Sequence, residues 1–326
     1  MIPLKRVAAL VLAGLCTFAV AASAQTQAYP NRPIRFVIPY PPGGASDVTA
    51  RTLGAKLSES LGQPVVIENR PGANGIIALE NVAKSPPDGY TLLMANLGPN
   101  AINAVIYSKL PYDSINDFTP IILTTLVPQI LVVNPALPIT SVRELIAMAK
   151  AQPGRITFAS AGNGASNHLS GELFRSMAGI EITHVPYKGD TPAMTDVIAG
   201  QVVMMFPTAI AATPHVKGGR LRALAVSSIK RVGSLPDLPT VDEAGVPGFE
   251  AVSWGGVMGP AGMPRDIVNK LNAEFARILK LPDVSEKLAG LGAEVVASTP
   301  EEFARYLQAE IAKWGKVARD AKVKLD

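Results

Sequence analysis

Short apolar runs alternate with helix-patterned segments along most of this 326-residue chain, and that alternation narrows the fold more than any other feature. The runs lie at residues 34–38, 64–68, 91–96, 130–134, 156–160, 182–187, 201–206 and 221–227. Continuous apolar stretches of this length, bounded by turn residues, read as strands covered on both faces. Separated by helices, they predict an α/β fold with mainly parallel sheets. Helix starts are marked by Ser141-Val-Arg-Glu144, a capping-box pattern, and by Thr191-Pro192 and Thr299-Pro300, each a cap residue before proline. Pro264 opens a segment with Ile267, Val268, Leu271, Phe275 and Ile278 on one side. The chain carries 28 Pro and 28 Gly, many of them between strand and helix, where α/β sheets bind ligands.

Compartment follows from the first residues. Lys5 and Arg6 precede an apolar run over residues 7–22, and Ala22-Ser23-Ala24 has the small-x-small pattern of a cleavage site. Residues 1–24 therefore read as a secretory signal peptide, with export to the periplasm and a mature chain starting at Gln25. The single cysteine, Cys16, lies within that segment, and Leu15 before it does not suit a lipoprotein site. Disulfides and thiol catalysis are thus excluded from the mature chain. The net charge of +4 falls to +2 once Lys5 and Arg6 are removed, and aromatics at 6% are too sparse for base stacking. No nucleic-acid partner is expected.

Three strand-to-helix loops hold the candidate chemistry. The first, residues 39–47, runs Pro-Tyr40-Pro-Pro42-Gly43-Gly44-Ala-Ser46-Asp47 after the first apolar run. Paired glycines allow close backbone approach, prolines stiffen the loop, and the helix start behind it presents unpaired N–H groups. A carboxylate or phosphate is the natural guest. No Gly-Lys-Ser/Thr order follows, so it is not a nucleotide P-loop. Taken alone, such a loop is equally a tight turn that binds nothing. The second loop, Ser160-Ala-Gly162-Asn-Gly164-Ala-Ser166-Asn-His168, repeats the arrangement, with Ser166 as the expected N-cap. The third runs from His184 through Tyr187, Lys188, Gly189 and Asp190 to Ala193. Loops this far apart suggest jaws closing on one small ligand from opposite sides.

Signals for catalysis are weak. No Gly-x-Ser-x-Gly elbow is present, and His168 stands only two residues after Ser166. His168, His184 and His215 fall on different elements without metal-ligand spacing, so neither metal, cofactor nor catalytic residue is expected.

Ordered motifs run along nearly the whole mature chain. They include Tyr29-Pro-x-Arg-Pro-Ile34, Pro42-Gly-Gly-x-x-Asp47 with Ala50-Arg51, and Val66-Ile-Glu-Asn-Arg-Pro-Gly-Ala-Asn-Gly75. Pro87-Asp-Gly-Tyr-Thr91, Gly162-Asn-Gly164 with His168-Leu169, and His184-Val-Pro-Tyr-Lys-Gly189 continue the series. Gly219-Arg-Leu-Arg-Ala-Leu-Ala225 and Leu238-Pro-Thr-Val-x-Glu243 complete it. In these motifs the chain resembles the periplasmic solute-binding receptors of tripartite tricarboxylate transport systems, the Bug family.

The resemblance implies a two-lobed α/β periplasmic binding protein, type II-like, that closes over a small organic anion and delivers it to membrane permease subunits. Lobe I would comprise residues 25–125 plus 253–326, and lobe II the inserted residues 126–252, with crossings near Thr125 and Val252 acting as a hinge. Lobe I would offer the ligand Tyr40, Pro42, Gly43, Gly44, Ser46, Asp47 and Asn96. Lobe II would offer Ser160, Gly162, Gly164, Ser166, His168, Tyr187, Gly189 and Asp190. Trp254 is expected to pack against the ligand or the hinge. Ala165 stands where the family often has Ser or Thr, while Val203 and Pro207 stand where acidic or small polar residues are frequent. Asp190, if it faces the cleft, would repel a second carboxylate unless an intervening water or a proton offsets it. A monocarboxylate with an apolar body therefore has equal weight with a di- or tricarboxylate. Two other functions remain open: a ligand-sensing receptor for a sensor kinase, and a secreted hydrolase using Ser166. A monomer is expected, since opening and closing requires no partner copy.

Overall fold

The computed structural model of the chain describes residues 29–321, 323 and 324. The expected signal peptide, residues 1–24, lies outside the described residues. The chain divides into two units, Met1–Asn31 and Arg32–Asp326, and the second holds both sheets.

The apolar runs form strands close to their expected bounds. β1 (Ile34–Ile38), β2 (Val65–Asn69) and β3 (Thr91–Asn96) pair in parallel, with β1 between the other two. β4 (Phe118–Pro128) leads, after the single residue Gln129, into β5 (Ile130–Val133) of a second sheet. That sheet continues with β6 (Ile156–Ser160), β7 (Ile182–Pro186), the two-residue β8 (Met204–Met205) and β9 (Arg222–Val226). The chain then returns to the first sheet through β10 (Val252–Pro260), and β11 (Glu294–Val295) edges it.

The strand orders are β11-β4-β10-β3-β1-β2 and β7-β6-β8-β5-β9. The architecture is a two-lobed α/β fold, one lobe around each sheet. Both sheets are mixed, not mainly parallel. β10 runs antiparallel to β3 and β4, β11 to β4, and β5 to both of its neighbours. An apolar run shows that a strand is buried on both faces but not which way its neighbour points. The outgoing and returning strands lie side by side, Pro128 opposite Val252 and Phe118 opposite Pro260, so they must run in opposite senses.

The helices are α1 (Ala45–Leu61), α2 (Ile76–Ala83), α3 (Asn103–Ile106), α4 (Val142–Ala151), α5 (Ser166–Ala178), α6 (Asp190–Ile198), α7 (Ala209–Lys217), α8 (Arg265–Leu279), α9 (Pro282–Gly290) and α10 (Pro300–Asp320). Thr299 makes the expected capping box, accepting from Glu302 N while Glu302 accepts from Thr299 N. At Ser141 only half the box forms, because Glu144 turns back to Thr140 instead. Two expected caps sit elsewhere: α5 is preceded by Ala165 and α6 by Gly189, so Ser166 is itself helical and Thr191 lies inside its helix. A buried aromatic group, Phe174, Phe206 and Phe249, fills the second lobe, with ring centroids 5.6 Å and 5.7 Å apart along the series. Trp254 packs edge-on to Phe303 in the first. Among the described residues no helix is long and apolar enough to cross a membrane.

Candidate functional site

Four helices begin at one cavity between the lobes. Gly44, Ala45 and Ser46 at the start of α1, Ala165, Ser166 and Asn167 at α5, Asp190 at α6, and Thr208 before α7 all line it. None of the four helices has a side-chain cap bonding its first-turn N–H groups. Two of the cap positions are glycine and one is Ala165, none of which has a side-chain oxygen to cap with. The first N–H groups of a helix have no intrahelical partner, and each helix start carries about half a positive charge. The cavity is thus surrounded by outward-facing donors.

The remaining lining comes from Tyr40 and Pro41, from β3 (Met94 and Asn96), and from the paired crossing strands (Thr125, Val127, Ser253, Trp254 and Gly255), with Thr49 and Ala161 completing it. Thr125 is wholly buried in the protein and its hydroxyl has no hydrogen-bond partner there. Trp254, held by Phe303 and Tyr306 at 5.6 Å and 6.1 Å, offers an apolar wall. Among the described residues no Lys, Arg or His side chain lines the cavity.

Among the described residues Asp190 is the one carboxylate in the lining. Burial pushes its pKa up to about 6, although the hydrogen bond from Asn167 and the nearby Thr208 hydroxyl pull the other way. Asn167 Nδ2 donates to its Oδ1 at 2.7 Å. The Thr208 hydroxyl makes no bond of good geometry, so its influence on the carboxylate is that of a nearby dipole. Tyr40 is held protonated by burial and, next, by the charge of Asp190.

Of the residues selected from sequence, Tyr40, Gly44, Ser46, Asn96, Ser166 and Asp190 meet at the cavity. The others do not line it. Asp47 braces its own loop, accepting from Gly43 N at 3.1 Å, Asn69 Nδ2 at 3.0 Å and Arg51 Nε at 3.0 Å. Burial would raise its pKa, but those three donors outweigh it and the net shift is downward. Pro42 accepts a hydrogen bond from Thr191 Oγ1 at 3.0 Å, a tie between the lobes. Gly43, at φ +91°, and Gly189, at φ +124°, also serve lobe contact: a Cβ on Gly189 would stand 2.7 Å from Pro41 Cδ. Gly164 packs in the same way against Ile106 and Asn103.

Ser160 and His168 support the second loop from beneath. Gly164 N donates to His168 Nδ1 at 3.1 Å, which leaves the imidazole proton on Nε2. His184 stacks on His168 at 4.0 Å and on Phe158 at 4.8 Å, and its Nε2 lies 2.6 Å from Ser160 Oγ. Burial, then the neighbouring His184, lowers the His168 pKa to about 3, and burial lowers His184 to about 4. Both rings are neutral. Neutral imidazole is the form that could act as a base, but His168 Nδ1 is taken by Gly164 N and His184 Nε2 by Ser160, and among the described residues neither ring is hydrogen-bonded to the Ser166 hydroxyl. Tyr187 turns away and donates to Asp196 Oδ2 at 2.5 Å; with Gly162 it lines a second, adjoining cavity at the mouth between the loops.

Thr125, Ser253 and Gly255 were not anticipated, because they lie on two strands whose roles as cavity walls depend on lobe pairing. Thr208 did leave a signal: a threonine ahead of the apolar segment that becomes α7.

A family model described as tripartite tricarboxylate transporter family receptor matches residues 49–323. Among curated relatives, the protein BugT of Bordetella pertussis is 39% identical over 323 residues, covering 99% of each chain. A Pseudomonas protein from the tcbD–tcbE intergenic region is 41% identical, covering 94% of this chain and 92% of its own. Among solved structures, an R. palustris protein with adipate superposes with a TM-score of 0.89 at 42% identity, covering 91% of this chain and 99% of that one. MatC from Rhodopseudomonas palustris with bound malate gives 0.85 at 34%, covering 89% and 99%. The periplasmic binding protein BugD gives 0.87 at 35%, covering 91% and 99%.

Proposed function

This chain belongs to the tripartite tricarboxylate transporter receptor family, and we propose that it captures a small organic carboxylate in the cavity between its lobes and hands it to a membrane permease. Members of this family are solute-binding receptors and not enzymes. The observation that carries the carboxylate assignment is the meeting of four uncapped helix starts at one cavity without a single cationic side chain. Fixed N–H donors and helix dipoles neutralise an anion there without the reorganisation a flexible lysine would need. The Thr125 hydroxyl, which has no partner within the protein, supplies a further donor at the cavity wall. Adipate and malate in the two related structures belong to the same chemical class.

The ligand-contacting set in this reading is Tyr40, Gly44, Ser46, Asn96, Thr125, Ser166, Asn167, Asp190 and Thr208, with Trp254 against the ligand body. The lobes divide at Gln129 on the way out and at Ala251 on the return. There Ser227 links both crossings, accepting from Gln129 N at 2.8 Å through its hydroxyl and from Ala251 N at 2.9 Å through its carbonyl. Ligand binding shifts the lobes toward closure about these two crossings.

The experiment is a melting-temperature screen of the mature protein, starting at Gln25, against mono-, di- and tricarboxylates, aromatic acids, amino acids and phosphates. A ligand at 100 times its dissociation constant adds about 2.7 kcal/mol, which raises Tm by several degrees. Shifts confined to carboxylates support the reading. Shifts with phosphates alone, or with no anion at all, overturn it. Loss of uptake of the same carboxylate on deleting the gene tests delivery to a permease.

A further inference from the structure

We propose that Asp190 makes this receptor selective for carboxylates that also present a hydrogen-bond donor, a hydroxyl, an ammonium or a protonated second carboxyl, and discriminates against dianions. The inference rests on the reading of the cavity as the carboxylate site and names which carboxylates it takes.

The geometry is asymmetric. Asp190 Oδ1 is already engaged by Asn167 at 2.7 Å, and Asn167 is itself fixed because its Oδ1 accepts from Ala161 N at 3.0 Å. Oδ2 points toward the opposite lobe, 3.9 Å from where a Cβ on Gly44 would stand; the Thr208 hydroxyl is near enough to favour the ionised carboxylate but is not hydrogen-bonded to it, and among the described residues Asn167 is the hydrogen-bond donor to Asp190. The groups facing Asp190 are few. From the first lobe come the Tyr40 ring and the start of α1, from α5 come Ser166 and Asn167, and from the start of α7 comes Thr208. Lys188, two residues upstream, is exposed and lines the adjoining cavity. Asp196 on the same helix is committed to Tyr187. No cation neutralises Asp190, and Tyr40 already donates its hydroxyl to Asn74 Oδ1 at 2.7 Å.

A free carboxylate oxygen in a cation-free cavity accepts but cannot donate. One carboxylate of the guest is served by the helix starts and the Thr125 hydroxyl. Whatever reaches Oδ2 must bring its own proton, because two carboxylates in contact cannot both stay ionised. Burial has already moved Asp190 up to about 6, so it takes up a proton readily when a second anionic group approaches. Binding of a dianion is therefore linked to uptake of one proton, and its affinity falls tenfold for each pH unit above the range where that proton is bound. A hydroxyl can donate to the carboxylate or accept from the carboxyl and carries little linkage, whereas an ammonium needs Asp190 ionised, so an amino acid releases a proton below about pH 6 and binds more tightly above it.

The test uses three probes of matched length: adipate, 6-hydroxyhexanoate and 6-aminohexanoate, titrated by calorimetry into the mature protein at pH 5.5 and pH 8. The expected result is that adipate loses at least tenfold in affinity at pH 8, while 6-hydroxyhexanoate changes little and 6-aminohexanoate tightens about fourfold. Calorimetry of adipate in buffers of different ionisation enthalpy should also show uptake of one proton. In Asp190→Asn, adipate should bind equally at both pH values and 6-aminohexanoate should weaken at least tenfold. Adipate binding to the wild type as tightly at pH 8 as at pH 5.5, with no proton taken up, overturns the proposal, and that arm needs no variant. An Asp190→Asn protein that keeps the wild-type ranking also overturns it. Absence of binding by every carboxylate in the wider screen is a different outcome, which overturns the carboxylate site and this inference with it.

Discussion

His168 and His184 hold the second loop only while neutral, and their protonation opposes the fold. The unfolded chain binds protons at both residues below about 6.5, whereas the folded values are about 3 and about 4. Stability is therefore full above pH 6.5 and falls as the pH drops toward those lower values. Asp190 has the opposite linkage: its folded value, about 6, lies above the ordinary 3.8, so its contribution is full below 3.8 and lost as the pH rises through 6. Replacing His168 with Leu leaves Gly164 N–H without an acceptor, which costs about 1–3 kcal/mol at pH 7.5. The same variant should lose less stability than the wild type between pH 6.5 and 4.5. Urea denaturation at both pH values reads the two effects, and an unchanged acid dependence would show that this ring is not the responsible group. Asp47, Tyr187 and His168 show what the sequence concealed at this scale. Each is a polar residue in a loop correctly located, yet each side chain turns inward to brace its loop. Residue type specifies which bonds a side chain can make, and direction depends on the partner the fold brings near it.

Among the elements, the 11-residue β4 and the 9-residue β10 both escaped the sequence reading, and β10 shows why. Its sequence, Val-Ser-Trp-Gly-Gly-Val-Met-Gly-Pro, reads as too rich in glycine for a central strand, since glycine weakens strand interiors. The structure gives the reason for those residues. A Cβ on Gly256 would overlap the Phe303 ring of α10, and one on Gly255 would stand 2.9 Å from Met94 and 3.0 Å from the Thr125 hydroxyl at the cavity wall. The glycines admit a helix on one side and the cavity on the other. Gly256→Ala should overpack this contact and cost about 1–3 kcal/mol, visible as a lower Tm with ligand class unchanged. A variant as stable as the wild type would mean that α10 can shift freely against the sheet. The helices with strong periodicity and marked starts, α8 and α10, were legible throughout, because an amphipathic face and a cap are local properties.

For the molecule as a whole, the proposed capture by closure rests on the contacts between the lobes. Gly189 against Pro41, Gly164 against Ile106, and the Thr191 hydroxyl on Pro42 O bring the second lobe onto the first around the cavity. Gly189→Ala adds a side chain at φ +124° and meets Pro41, so it should weaken ligand binding at least tenfold by opposing closure. Small-angle scattering should show the variant more extended than the wild type in the presence of ligand. Equal compaction and equal affinity would remove this contact from the closing mechanism. Sequence by itself determined the α/β class, the buried strands, the better-marked helices and the three glycine loops. These follow from periodicity, caps and turn chemistry, which act over a few residues. Tertiary structure alone decided that the sheets are mixed, that four helix starts share one cavity, and that Thr125 and Ser253 of the crossing strands wall it. Each of these is a relation between segments far apart in the chain, set by how the two crossing strands pair and how the lobes meet.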